Sequence, residues 1–513
     1  MSFEHHLSQL KMLLDQSEFE QLKVISETLL KLDPNNSELL NFRFIALKGL
    51  GIETKDIGFL RKFCWYRSLD HNAFYALYLA YLEQDDKFNA LVALAYCLSV
   101  TPDYAVGKQS LSTTLMSLGA TSLKISFLTV DRVGHLICEP ESWIRSRKKT
   151  NTAKKVLNLF VADVAIESDI ANLYIYGLLK EHIRIVENPF LHKLFRSRPN
   201  LISDYFYEPM PFDLQSHKKL NNKKPWPETD YLLLQNIQRL NPPKIAIPKS
   251  DERAGIKALS ELGIKDFKKI VCFHVRDGAY LSEKIESKNC SYHDFRDADI
   301  NTFKLAVNYL LDKGYTVIRV GLTSHQFLDI KHPAYYDFCK NKPGGLNGFI
   351  ETFVLSICSF FIANTSGPQG VAAAFDRPIL GVNMVPFGLF YPYYSRFIPK
   401  YYFNKETNQR VKFISLLEGI KISRDSGISI DILECMDGNV LRNNGFECID
   451  NSEGEILAAV VEFEQLVVSD ELIRDMSETH KRYIEKIPAR DLKNGSMLVS
   501  ECFLKANRHL FDL

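Results

Sequence analysis

The sequence contains no Cys-x-x-Cys pair, and its ten cysteines stand singly along 513 residues. That spacing offers neither a disulfide framework nor a structural zinc site, and it suits a reducing cytosol. Charge of one sign is lacking as well. The formal net charge is +1, so no global field points to nucleic acid or to an anionic membrane surface. No apolar run is long enough for a transmembrane segment, and the most apolar, "ALVALAYCLSV", fits a buried helix. The first twenty residues lack a basic n-region and an apolar h-region. No signal peptide is therefore expected, and the expected location is cytoplasmic. Low-complexity tracts are missing too. What is present is an ordinary globular balance, 46% hydrophobic and 24% charged, with length for about three domains at ~150 residues each.

Residues 1–118 read as all-helical, because apolar residues recur at three- and four-residue spacing with no alternating runs. "DPNNSELL" and "TPDYAVGKQSL" mark helix boundaries. Pro34 and Pro102 lie 68 residues apart, twice the 34-residue period of tetratricopeptide (TPR) repeats. "HNAFYALYLAYLEQDDKFNALVALAYCLSVTP" resembles such a repeat, with Phe74, Leu77, Tyr81, Ala90 and Leu94 on its core positions and Pro102 closing it. Those aromatics are packing residues in either a repeat or a plain bundle.

From Lys124 the pattern changes. "LKISFLTV" and "KVLNLFVAD" are continuous apolar, β-branched runs, and "IANLYIYGLLKEHIRIVEN" reads as a helix entering another strand. Alternating strands and helices imply a parallel α/β sheet, with ligands beyond the carboxyl ends of its strands. The segment Asp131-Arg132-Val133-Gly134-His135 is expected as a cleft-lining loop after the first strand. "NKKPWPETD" and "RLNPPKIAIPKSDERAG" look like interdomain connections. A second α/β unit follows, with strands "KKIVCFHV", "TVIRVG" and "RPILGVN", and with helix, strand, turn and helix in "GFIETFVLSICSFFIANTSGPQGVAAAF". The expected organisation is a helical domain at 1–118, a first Rossmann-like domain at 119–245, a second at 246–455 and a helical tail at 456–513, with a hinge and a cleft between the α/β domains.

"VCFHVRDGAY" is a buried-looking strand that ends in polar groups. His274, Arg276 and Asp277 fall at its carboxyl end, where such a domain holds its ligand. In "FIANTSGPQG" a second strand ends and a helix begins, offering free backbone N–H groups and the Thr365 and Ser366 hydroxyls ahead of Gly367. Arg276 supplies a planar fork for two phosphate oxygens, so the pair could hold a diphosphate. Arg319, ending "TVIRVG", and Lys400, in "IPKYYFN", are further phosphate candidates. His274, Arg276 and Arg319 also have a plain structural use, as an ion pair or a core group, and Lys400 that of an ordinary solvated lysine. The aromatic stretch "FGLFYPYYSRFIPKYYF" suits either a sugar-stacking loop or core packing.

The ordered series "HVRDGAY", "YHDFRDADINTFKLAVNYLLDKGYTVIRVG", "CSFFIANTSGPQGVAAAFDRPILGVN" and "NNGFECIDNSEGEILAAVVEF" resembles a family of bacterial glycosyltransferases from surface-glycan and flagellar-glycan loci. "DRVGHLICEPESWIRSRK" and "IANLYIYGLLK" are similar to that family's first domain. The resemblance covers roughly Lys124 to the tail, about three quarters of the chain, while "KISRDSGISIDILECMDGNVLRN" departs from it as a variable insertion. It implies a GT-B fold: two Rossmann-like domains, the nucleotide-sugar donor mainly on the second and the acceptor mainly on the first. An N-terminal helical repeat region is common in the family. The His-x-Arg element is also similar to that of protein O-fucosyltransferases, where the arginine meets the donor diphosphate, a role that falls here on Arg276.

The implied activity is sugar transfer from a nucleotide sugar to a glycan or protein acceptor. No metal and no cofactor beyond the nucleotide-sugar co-substrate are expected, since GT-B enzymes generally work without a bound divalent ion. Arg276, Thr365, Ser366, Gly367 and Arg319 are the donor-phosphate candidates. An inverting reaction also needs a base within reach of the acceptor oxygen. Asp277 and His274 are candidates from the second domain, and Asp131, His135 and Glu139 from the first, with Gly134 allowing close approach. The helical region could recruit a protein partner. A TPR adaptor with an inactive transferase-like domain, and a non-transferring nucleotide-sugar enzyme, are the alternatives.

Overall fold

The computed structural model describes residues 3–147, 155–197, 205–207, 241–279, 291–341, 348–387, 395–424, 427–472, 477–486 and 498–513. Seven helices come first: α1 (Phe3–Asp15), α2 (Phe19–Leu30), α3 (Ser37–Gly49), α4 (Ile57–Tyr66), α5 (His71–Glu83), α6 (Lys87–Val100) and α7 (Ala105–Ser117). Short polar side chains start several of them. Asn36 accepts from the N–H groups of Glu38 and Leu39, and Asp56, Asp70 and Asp86 cap α4, α5 and α6 in the same way. The five expected repeat-core residues in α5 and α6 are all buried.

The first α/β unit holds β1 (Ser122–Leu128), α8 (Val133–Ser146), β2 (Val156–Ala162), α9 (Leu173–Lys180), β3 (Arg184–Glu187), α10 (Pro189–Ser197) and β4 (Phe206–Tyr207). Its parallel sheet runs β3-β2-β1-β4. Successive strand residues point to opposite faces, and here the faces have different owners. Leu128, Phe160 and Ala162 join the core shared with α8 and the second unit, whereas Ile125, Phe127, Leu159 and Val161 join the core of the helical region. That second face explains α6, whose residues 90–98 are all buried. Tyr96 of α6 donates to the Leu191 carbonyl at 3.0 Å and its ring lies 4.8 Å from that of Phe206. The helical region thus supplies one helix layer of the first unit.

The second unit holds α11 (Lys249–Glu261), β5 (Ile270–His274), α12 (Lys304–Asp312), β6 (Thr316–Arg319), β7 (Tyr335–Asp337), α13 (Phe349–Ile357), β8 (Phe360–Ala363), α14 (Gly367–Ala374), β9 (Ile379–Met384) and β10 (Ser395–Pro399). All neighbouring strands are parallel, in the order β10-β9-β8-β5-β6-β7. Relative to β5 as the first strand, this is the Rossmann order 3-2-1-4-5-6, with the switch point between β5 and β8. The architecture is therefore α/β in the GT-B manner, two Rossmann-like units behind an all-α region.

The remaining chain is built onto the second unit. β11 (Tyr401–Asn404), β12 (Gln409–Arg410) and the later β15 (Phe446–Ile449) form a small antiparallel sheet. The stretch expected to be variable holds the hairpin β13 (Lys421–Ser423) and β14 (Ser429–Asp431). Helix α17 (Glu453–Val468) follows α15 (Phe413–Glu418) and α16 (Gly438–Asn443) and carries a Ser452/Glu455 capping box. α18 (Glu478–Lys486), α19 (Glu501–Ala506) and α20 (Arg508–Phe511) close the chain, and their Tyr483, Phe503 and Phe511 belong to the same core as β5 and β8. In the aromatic stretch 387–403, Phe387, Phe397, Tyr401 and Tyr402 are buried core and Phe403 is half-buried, while 388–394 lie outside the described residues. The expected linker "NKKPWPETD" also lies outside them.

The two α/β units meet along one helix from each. α8 and α14 lie side by side, starting together and ending together. A Cβ on Gly134 would come within 3.1 Å of the Gly367 Cα, so the helix starts touch through their glycines. At the far ends Arg145 donates to the Ala374 carbonyl at 3.0 Å and pairs with Asp376 at 2.7 Å and Glu141 at 2.5 Å. A second bridge joins Asn172 of the first unit to the Gly348 carbonyl and the Thr352 hydroxyl of the second.

Candidate functional site

The carboxyl ends of β5 and β8 are adjacent, with His274 opposite Ala363. The chain leaving β5 is fixed by the fully buried Asn364, whose side-chain oxygen accepts the Arg276 N–H at 2.9 Å and whose amide donates to the Arg296 carbonyl at 2.9 Å. The Ala298 N–H donates to the Arg276 carbonyl at 3.1 Å. The switch point thus carries the turns of residues 291–299 on its rim.

Arg276 Nη1 donates to the His293 carbonyl at 3.1 Å and pairs with Asp297. Arg296 Nη2 donates to His293 Nδ1 at 2.6 Å. Burial, together with the charges of Arg276 and Arg132, pushes the Arg296 pKa down to about 9. Arg132 comes from the other unit, at the N-cap of α8. Neither Arg132 nor Arg296 makes an ion pair among the described residues. Three guanidiniums therefore converge where the amino ends of α8 and α14 meet, each helix end adding a partial positive charge. Around them the Ser366 Oγ, the Arg296 Nε and the His293 Nε2 are buried without a hydrogen-bond partner. Crowded cations with unused donors form a site for a multiply charged anion.

The other expected residues divide between this place and its supports. Gly367 is the first residue of α14, against Val133 and Gly134. The Thr365 hydroxyl is turned away and donates to the Val385 carbonyl at 2.8 Å. Arg319 lies inside the protein, 1% exposed, donating to the Gln326 carbonyl and Ser324 and pairing with Asp337 at 3.3 Å, so it holds the loop after β6. Lys400 is not the solvated lysine expected: it is buried, pairs with Asp450 at 2.7 Å and donates to the Asp297 carbonyl, which braces the partner of Arg276.

Among the base candidates, Asp277 accepts from the Ser324 hydroxyl at 2.6 Å, the His325 N–H at 2.8 Å and the Ala279 N–H at 3.1 Å. Burial would raise its pKa, but these donors outweigh burial and lower it. Its geometry is that of a loop anchor. His274 donates from Nδ1 to the Val320 carbonyl at 2.8 Å, with Gly321 pressed against the same ring. Burial pushes its pKa down to about 4, so the ring is neutral. Asp131 is exposed, near His192. Gly134 and His135 lie in the first turn of α8, not in a loop, because the helix starts at Val133. His135 Nδ1 lies 2.8 Å from Glu139 Oε1, one turn on, while Glu139 Oε2 is buried without a partner. The Glu139 carboxylate holds the ring by Nδ1 and so sets its orientation. That arrangement suits proton acceptance beside the anion site.

No family model matches the chain, and no curated protein sequence matches it. Several solved glycosyltransferases are similar in chain path. E. coli ADP-heptose LPS heptosyltransferase II is 14% identical over 54% of this chain and 90% of its own, with a TM-score of 0.30. A glycosyl transferase family 9 protein from Veillonella parvula is 12% identical over 68% and 97%, at 0.35. A mutant O-GlcNAc transferase from Thermobaculum terrenum is 10% identical over 92% and 94%, at 0.23.

Arg132 is expected from the sequence only as part of a cleft-lining segment, with no role of its own, and neither His293 nor Arg296 is among the sequence candidates. The last two sit in the 3-10 turn Ser291–Arg296, where no periodicity marks them. Their one visible signal is the density of basic and acidic residues in "YHDFRDAD", just after the strand-end Arg276.

Proposed function

We propose that the protein is a glycosyltransferase that binds a nucleoside-diphosphate sugar at the Arg132–Arg276–Arg296 cluster. The observation that carries this reading is the convergence of three guanidiniums from both units on two meeting helix starts. Glycosyl transfer builds positive charge on the sugar ring and negative charge on the departing phosphate. Fixed cations at that phosphate stabilise the transition state more than the ground state, and one well-placed donor is worth about 3–4 kcal/mol by analogy with oxyanion sites. The guanidiniums neutralise the leaving diphosphate in the way a bound divalent ion otherwise would, so the reaction is read as metal-independent. The Arg276 role agrees with the His-x-Arg resemblance to fucosyltransferases.

His135, oriented by Glu139, supplies the proton acceptor that an inverting transfer requires. The acceptor, a glycan or protein hydroxyl, would approach from the first unit, and the helical region fused to that unit's sheet is placed to recruit a protein carrier. The test is release of nucleoside diphosphate from a panel of UDP-, GDP-, ADP- and dTDP-sugars, with and without added glycans. One nucleotide class should be consumed, with a loss of roughly 100-fold or more in Arg276→Ala. A folded protein that neither binds nor consumes any sugar nucleotide would favour a scaffold.

A further inference from the structure

The arginine cluster also contains a neutral ring, His293. His293 is 7% exposed, and its ring lies 3.8 Å from the ring of Tyr292. Its Nδ1 is 2.6 Å from Arg296 Nη2. A guanidinium can only donate, so Nδ1 must carry the lone pair and the ring proton must sit on Nε2. Burial, with the charges of Arg296, Arg276 and Arg132 around it, pushes the pKa of this ring down to about 3, so it stays neutral. Nε2–H is thus a donor with a fixed direction, buried and without a partner. Buried donors are nearly always satisfied in a native protein, by protein, water or ligand. The Arg296 Nε and Ser366 Oγ are orphaned at the same place.

We propose that His293 is a ligand-binding residue, donating its Nε2–H to a non-bridging oxygen of a bound diphosphate. This rests on the reading of the cluster as a nucleoside-diphosphate site and adds to it a neutral donor. Guanidiniums bring charge, whereas the imidazole, held by Arg296, brings direction without adding to the mutual repulsion of the cations.

Isothermal titration with inorganic pyrophosphate tests this on the full chain. The wild type should bind. His293→Phe should bind ~10- to 100-fold more weakly, as expected for losing a hydrogen bond to a charged group, and His293→Gln, which keeps an N–H donor, should recover most of the loss. Equal binding by wild type and His293→Phe would overturn the role of His293 and leave the diphosphate site standing. No binding by the wild type would overturn both. If His293→Phe does not fold, long-range ¹H–¹⁵N spectra of wild-type imidazoles decide. The His293 ring should be Nε2-protonated and shift on adding pyrophosphate; an Nδ1-protonated or unresponsive ring would contradict the proposal.

Discussion

His274 and His293 share a property with consequences for stability. Both rings are held neutral, with pKa values pushed down to about 4 and about 3, mainly by burial. Below the ordinary histidine value near 6.5 each binds fewer protons in the folded chain than in the unfolded one. Stability should therefore fall as pH drops from about 6.5 toward 4. Denaturant midpoints measured across that window check this, and a flat profile would contradict it. Arg132 gives a second prediction at this scale. Arg132→Ala should weaken binding of the cognate nucleoside diphosphate by ~10-fold or more, because a hydrogen bond to a charged group is lost. The residue level was also the least legible in the sequence. Arg276 could be placed because it follows a continuous apolar strand. Arg319 ends a similar strand yet turns inward to Asp337, since the pleat alternates and sequence gives no phase for a strand buried on both faces.

Among the elements, the α8–α14 pair decides the site. Its close approach depends on two glycines: a Cβ on Gly367 would stand 2.6 Å from Val133 Cγ1 and 3.1 Å from the Gly134 N. Gly367→Ala should cost about 1–3 kcal/mol through overpacking and should also weaken nucleotide binding, by moving Arg132 away from Arg276. Thermal melts and titrations on one sample separate the two effects. At the opposite end, Arg145→Ala strands Glu141 and Asp376 without their guanidinium. A loss of about 3–5 kcal/mol is expected, because an uncompensated buried charge remains. The strands themselves were readable in advance, since parallel strands buried on both faces appear as unbroken apolar runs such as "IVCFH". Their contacts across units were not. Nothing local in "RVGHL" announces that its glycine meets "SGPQG" more than 200 residues away in sequence.

For the whole molecule, the helical region and the first sheet share one core. Removing residues 1–118 would uncover much of the sheet face that carries Ile125, Phe127, Leu159 and Val161, leaving only α10 on it, so the truncated chain should aggregate rather than survive as an independent unit. A soluble, nucleotide-binding truncation would refute that. The sequence change at Lys124 marked where helices give way to strands, but the fusion of the two parts lies in which face each strand residue takes. The central claim is that both α/β units grip one diphosphate. Its most direct measurement is a thermal-shift screen of the wild type, Arg276→Ala and Arg132→Ala against UDP, GDP, CDP, ADP and dTDP, with CMP as the monophosphate control. Only a ligand that binds the native state raises the melting temperature. One diphosphate should shift the wild type, and both variants, one from each unit, should lose most of that shift. Variants that keep the full shift would contradict the claim, as would a wild type that no nucleotide stabilises at millimolar concentration.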